Sequence, residues 1–109
     1  MQLKNNSVSC SENEIQLLRF LCASSEDIAH RRELAQKLRQ YSWHGNDHRI
    51  LFEAIGELLA RSSQRVLEHL PAELTRRGFP DISCDPLSAA SELTPDAALA
   101  LAKKLLRAS

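Results

Sequence analysis

The chain has 109 residues, and its 14 Lys plus Arg are matched by 14 Asp plus Glu, giving a formal net charge of zero at pH 7. That length suits one core, and the balanced charge lacks the electrostatic footprint of a sequence-independent phosphate binder. Hydrophobic residues make up 43%, Gly occupies only three positions, and the aromatics are Phe20, Tyr41, Trp43, Phe52 and Phe79, a mixture that favours helices over sheet.

The first ten residues, MQLKNNSVSC, hold no apolar run of the length that a secretory signal needs, and no later stretch approaches a bilayer span. The expectation is a cytoplasmic protein with a flexible segment over residues 1–10 and a single helical domain over residues 11–109. Cys10, Cys22 and Cys84 are odd in number and form no C-x-x-C pair, so free thiols are expected. Cys22 falls on an apolar helix face as a small hydrophobe, and Cys10 and Cys84 read as loop residues.

The first helix is announced at Ser11, where S-E-N-E puts Glu14 three residues after a capping serine in a capping-box pattern. Ile15, Leu18, Leu21 and Cys22 then share one face, which Leu17 widens. Ser24 or Ser25 can cap a second helix whose early acids Glu26 and Asp27 suit the positive end of its dipole. Its apolar positions are Ile28, Leu34, Ala35 and Leu38, with Arg31, Arg32, Lys37 and Arg39 as decoration. The clearest boundary follows at S-W-H-G-N-D, residues 42–47, with a new start at Asn46 or Asp47.

From His48 to Ala60 the set Leu51, Ala54, Ile55, Leu58 and Leu59 follows helical spacing, marking the central helix. Ile50 and Phe52 fall on adjoining faces, and Arg49, Glu53, Glu57 and Arg61 form the polar side. A short helix is expected through Val66, Leu67 and Leu70, then a break or kink at Pro71 and a new helix P-A-E-L-T-R-R closed by Gly78. Residues 79–93 read as an irregular crossing anchored by Phe79, Ile82 and Leu87. Thr94, Pro95 and Asp96 supply cap, first-position proline and early acid for a last helix that buries Ala98, Leu101, Ala102 and Leu105.

Several chemistries have no sequence support. With Gly only at 45, 56 and 78 there is no phosphate-cradling loop, and neither H-E-x-x-H nor G-x-S-x-G occurs. His44 and His48 have helical metal-ligand spacing, but Gly45 and the helix start fall between them, so a loop histidine and a first-turn histidine are expected. Glu53 and Glu57 read as a solvated face. Arginines pair at 31 and 32, 61 and 65, and 76 and 77, each pair accompanied by acids and none interleaved with stacking aromatics.

The segments E-I-Q-L-L-R-F-L, W-H-G-N-D-H-R-I-L-F-E-A-I-G-E-L and L-P-A-E-L-T-R-R-G together resemble the amino-terminal domain of bacterial replicative DNA helicases. That domain shares its helical fold with the helicase-binding C-terminal domain of bacterial primase. The resemblance spans roughly residues 12–78 and is carried by Trp43, His48, Arg49, Ile50, Phe52, Ala54, Ile55 and Leu58. It implies a small all-helical interaction module of the kind used for helicase assembly and helicase–primase contact. The ATPase domain of the helicases and the catalytic domain of the primases are not in this sequence, so neither activity is carried over, and Pro71 and the F-P-D-I crossing fit neither pattern.

The expectation is therefore an all-α, compact bundle of five to six helices with orthogonal or mixed packing. Its expected function is a non-enzymatic protein-interaction module associated with the replication machinery, with no catalytic, cofactor-binding or metal-binding residues. Expected interaction residues are Trp43, His48, Arg49, Phe52, Leu99 and Leu106, with Ile50 and Phe52 flanking the central stripe and Leu99 and Leu106 beside Lys103, Lys104 and Arg107 as exposed apolar surface. Core is nevertheless the favoured place for Trp43, as a small domain has few large residues to fill its centre. The partner is a protein, either a second copy through the central or terminal helix or, as the resemblance implies, a replicative helicase or primase. No membrane contact is expected, and any nucleic-acid contact is expected to be weak. The alternatives are a small nucleic-acid-binding regulator using the arginine clusters and, with least support, an enzyme built around His44 and His48.

Overall fold

The computed structural model describes residues 2–23, 27–61, 65–89, 91 and 93–108, with side-chain detail from Glu12 to Arg107. Five α-helices are present: α1 (Gln2–Cys22), α2 (Ile28–Leu38), α3 (Asn46–Ala60), α4 (Val66–Arg76) and α5 (Pro95–Ala108), with a 3-10 turn at Asp85–Leu87 and no strand among the described residues. The all-α bundle expected from caps and helical spacing is the observed architecture.

The central stripe of α3 organises the core. Leu51, Ala54, Ile55, Leu58 and Leu59 are all buried, facing Leu17, Leu18, Phe20 and Leu21 of α1, Leu34 and Leu38 of α2, and Val66, Leu70 and Leu74 of α4 in one cluster. Ala98, Ala102 and Leu105 of α5 close that cluster, and α5 lies against α1 and α2. Arg19 Nε donates to the Pro86 carbonyl at 2.7 Å, tying α1 to the 3-10 turn, whose Leu87 is buried. Cys22 behaves as the small core hydrophobe expected, and burial pushes its thiol up to about 12.

Two helix ends follow their sequence signals closely. At the start of α5 the Thr94 hydroxyl accepts from the Ala97 amide at 3.1 Å. At the end of α4, Gly78 adopts φ +93°, its amide donates to Thr75 O at 3.0 Å, and the Phe79 amide donates to Leu74 O at 2.8 Å. That pair of reversed bonds is a Schellman ending, and the left-handed residue it needs is the glycine.

Other expectations are corrected. Helix α1 begins at Gln2 instead of Ser11, and the segment over residues 2–10 is helical: no Pro or Gly interrupts it, so a serine that could cap is carried inside the helix. Ser24 and Ser25 lie outside the described residues, and the cap of α2 is Asp27, whose carboxylate accepts from the Ala29 amide at 2.9 Å. Helix α3, by contrast, starts at Asn46 as expected, with Gly45 in the cap position.

Pro71 lies inside a continuous α4 and does not end a helix. Val66, Leu70 and Leu74 recur every four residues and are all buried, so packing on the core offsets the backbone bond that proline removes. Phe79 is the exposed end of the crossing, 40% accessible, while Ile82 and Leu87 are the anchors. Cys84, expected as a plain loop residue, packs half-buried against the core. Ile50 and Phe52, expected to flank the stripe in solvent, are buried, because α3 is surrounded by α1, α2 and α4. Arg31, expected on the surface of α2, is fully buried, with Nη1 reaching the Leu21 carbonyl at 3.4 Å.

Candidate functional site

The loop between α2 and α3, residues 39–45, separates two features of opposite character. On its inner side is a polar knot around Glu14. The chain brings this α1 carboxylate, fully buried, against the loop and the first turn of α3. It accepts from Tyr41 Oη at 2.6 Å, from the His44 amide at 2.7 Å, from the Gly45 amide at 3.3 Å, and from His48 Nδ1 at 2.7 Å. An ionised carboxylate only accepts, so His48 Nδ1 carries the shared proton. Burial pushes the Glu14 carboxyl up, but the Tyr41 hydroxyl, the His44 amide, His48 and the Gly45 amide outweigh it and hold it below its ordinary value of 4.5. Gly45 is part of the design: a Cβ there would lie 2.9 Å from His48 Nδ1.

On the outer side, Trp43 packs between Tyr41, edge-on at 5.1 Å between ring centroids, and Phe52, at 5.0 Å. This aromatic row stands at one end of an open cleft between α2 and α3. The main cleft, about 550 Å³, is floored by Ala35, Phe52, Gly56, Leu59 and Ala60 and rimmed by Arg32, Arg39, Glu53, Glu57 and Arg77. An adjoining hollow of about 450 Å³ runs on past Arg39, Phe52 and Glu53 to Trp43 and Arg49. Arg32 Nε donates to the Leu59 carbonyl at 3.0 Å, fixing that end of α2 against the C-terminal end of α3.

Gly56 is the unusual residue of the floor. It sits in the interior of α3, and a Cβ there would meet nothing within 4 Å. A helix-interior glycine costs roughly 0.5–1 kcal/mol relative to alanine. No close contact within the fold accounts for it.

A second buried carboxylate, Glu73 of α4, is surrounded by arginines: Arg76 Nη2 at 2.6 Å, Arg77 Nε at 2.9 Å and Arg61 Nη1 at 3.8 Å. Burial pushes its carboxyl up, but hydrogen bonds from Arg77 and Arg76 and the charges of Arg76 and Arg61 hold it below the ordinary value. The pair Arg76 and Arg77 thus converges with Arg61 on one acid, while Arg65 pairs with Glu68 at 3.2 Å.

The residues expected at an interaction surface divide between these features. Trp43 is partly buried and Phe52 buried, and both line the cleft or its extension; Arg49, at the extension, is exposed and pairs with Glu53 at 3.1 Å. His48 belongs to the knot. Leu99 and Leu106 are half-buried and pack against the core from α5, away from the cleft lining. His44 donates to Glu14 through its backbone amide, and its ring lies tilted against Tyr41 at 6.2 Å between centroids. Sequence reasoning missed Glu14, read as a cap partner, and Gly56, which lies just off the apolar stripe of α3. An acid followed some thirty residues later by a tyrosine, a glycine and a histidine gives no local periodic signal; an interior helix glycine is a signal that could have been used.

Compared with family models, curated proteins and solved structures, the chain has no significant match. Fold and site together define the class: an all-α bundle with a saturated buried carboxylate and an open cleft between two adjacent helices.

Proposed function

We propose that this chain is a non-enzymatic protein-interaction module that receives its partner in the α2–α3 cleft. The observation that carries this is the cleft floor, apolar and centred on a helix-interior glycine with open space above it. A side chain of a partner can approach the α3 backbone there more closely than at any residue bearing a Cβ. The cleft is also bordered by Phe52 and, in its extension, Trp43, aromatic residues of the kind that anchor interfaces.

The non-enzymatic part is supported by the state of the two buried carboxylates. General acid–base catalysis favours a carboxyl raised towards neutrality with a reactive partner in reach. Glu14 and Glu73 are both shifted the other way, and their oxygens are occupied by structural donors.

The replication association rests on the resemblance of the segments carrying Trp43, His48, Arg49 and Phe52, and it names the first partners to try. Immobilised full-length chain is titrated with a purified bacterial replicative helicase and with primase, beside a Gly56→Lys variant. The expected result is saturable binding to one of them, weakened at least tenfold in the variant with an unchanged circular dichroism spectrum. Equal binding by the variant would move the interface off the cleft, and no binding to either protein would end the replication association.

A nucleic-acid regulator working through the arginine clusters has weaker support. Arg31 is buried, and Arg61, Arg76 and Arg77 are drawn to Glu73. DNA affinity falling steeply with rising salt would favour it.

A further inference from the structure

We propose that the occupant of the cleft is a second copy of this chain, with a two-fold axis running along the cleft so that α2 of each copy lies over α3 of the other. This rests on the interaction-module function above and names its partner. A two-fold interface is built from one patch that must be complementary to itself. The cleft meets that condition because its two helices carry opposite charge, Arg32 and Arg39 on α2 and Glu53 and Glu57 on α3, while the third rim arginine, Arg77, is already bound to Glu73 at 2.9 Å.

The register follows from contacts within one copy. Arg32 reaches Leu59 at one end of the cleft, and Arg39 shares the other end with Phe52 and Glu53. Helices α2 and α3 therefore run in opposite directions along the cleft. A two-fold axis between and along them keeps each level of the cleft at its own level in the partner and exchanges the walls. Arg39 then faces Glu53 of the other copy, Arg32 comes towards the Glu57 end, and Ala35 and Gln36, midway along α2, come down over Gly56. The missing Cβ of Gly56 gives the close approach that such a crossing needs.

The charges are available for exchange. Arg39 is exposed and takes part in no ion pair among the described residues. Among the described residues Glu53 and Glu57 form ion pairs with half-exposed neighbours alone, Arg49 of α3 at 3.1 Å and its cap residue Arg61 at 3.3 Å. Such solvated pairs contribute little and rearrange readily. A strongly acidic partner would fit less well, because it would meet Glu53 and Glu57 as well as the arginines. With formal net charge zero, no overall repulsion opposes self-association.

The test is sedimentation velocity of the full chain at concentrations up to about 100 μM, where a dimer of micromolar affinity is nearly fully formed. The wild type is expected to sediment as a dimer. Arg39→Glu and Glu53→Arg are each expected to weaken it at least tenfold, and the double variant, which restores opposite charge across the axis, to recover it. Gly56→Lys, whose side chain projects into open space within its own copy, is expected to be a folded monomer by circular dichroism. A wild type that stays monomeric overturns the proposal, as does a dimer indifferent to both single charge reversals. A monomeric wild type whose binding to helicase or primase is still abolished by Gly56→Lys would sink the second copy while leaving the interaction module standing; loss of both would sink both.

Discussion

The Glu14 knot and the α2–α3 cleft lie on either side of the same loop and differ in what they leave unsatisfied. In the knot, a fully buried carboxylate has its oxygens filled by Tyr41, His48 and the amides of His44 and Gly45. In the cleft, a helix interior presents a glycine to open space, and among the rim charges Arg39 takes part in no ion pair among the described residues while Glu53 and Glu57 hold only solvated neighbours. The first arrangement is complete within the fold and serves to join α1 to the loop and to α3. The second is incomplete within the fold, and that is where association is expected. A buried ionised group is thus no guide to function by itself; what matters is whether its hydrogen-bonding capacity is already used.

This contrast predicts that knot substitutions cost stability and that cleft substitutions do not. The largest effect is expected for Glu14→Ala, which leaves the buried donors without their acceptor and should cost about 3–5 kcal/mol in urea unfolding. A loss under about 1 kcal/mol would show that the knot is not holding the fold. Next, Tyr41→Phe removes one bond to a charged acceptor while keeping the ring that packs on Trp43, and about 1.5–3 kcal/mol is expected.

Glu73→Gln should be milder, below about 1 kcal/mol, because its arginine partners are between 30% and 59% exposed and can turn to water. If it proved as costly as Glu14→Ala, local ion pairs and long-range burial would not differ as described. At the cleft, with the chain dilute enough to be monomeric, Gly56→Ala is expected to raise stability by roughly 0.5–1 kcal/mol, since alanine gains helix propensity and its Cβ meets nothing within its own copy. A destabilised alanine variant would mean that the floor is not open.

The parts of this fold that sequence makes legible are those set by short spacing. The stripe from Leu51 to Leu59, the Thr94 cap and the Gly78 ending each depend on residues within one or two turns, and the structure keeps them. The pair Glu57–Arg61, four residues apart on α3, is likewise found at 3.3 Å. What spacing cannot supply is the outcome of packing between distant segments. Pro71 is a breaker by local rules, yet α4 continues through it because Val66, Leu70 and Leu74 are held in the core. Arg31 lies in a polar-looking stretch and is nevertheless enclosed, and Glu14 has the position of a capping-box acid yet turns to a loop about thirty residues away. Of the expected interaction residues, Trp43, Arg49 and Phe52 fall beside the cleft, whereas Gly56 and Arg39, which shape it, were not among them.

Glu14 is held as an ionised tie between α1, the loop and α3. Its titration is followed at the Glu14 carboxyl carbon by NMR as pH is lowered. Its pKa is depressed in the fold, so its contribution to stability is full above the ordinary value of 4.5 and is lost as pH falls through the lower folded value. The expected Glu14 midpoint is below 4.5, with the acid unfolding limb of the wild type flattened in Glu14→Gln. A midpoint above 4.5 would contradict it, since a carboxyl held neutral by burial is a candidate general acid and not a filled structural acceptor.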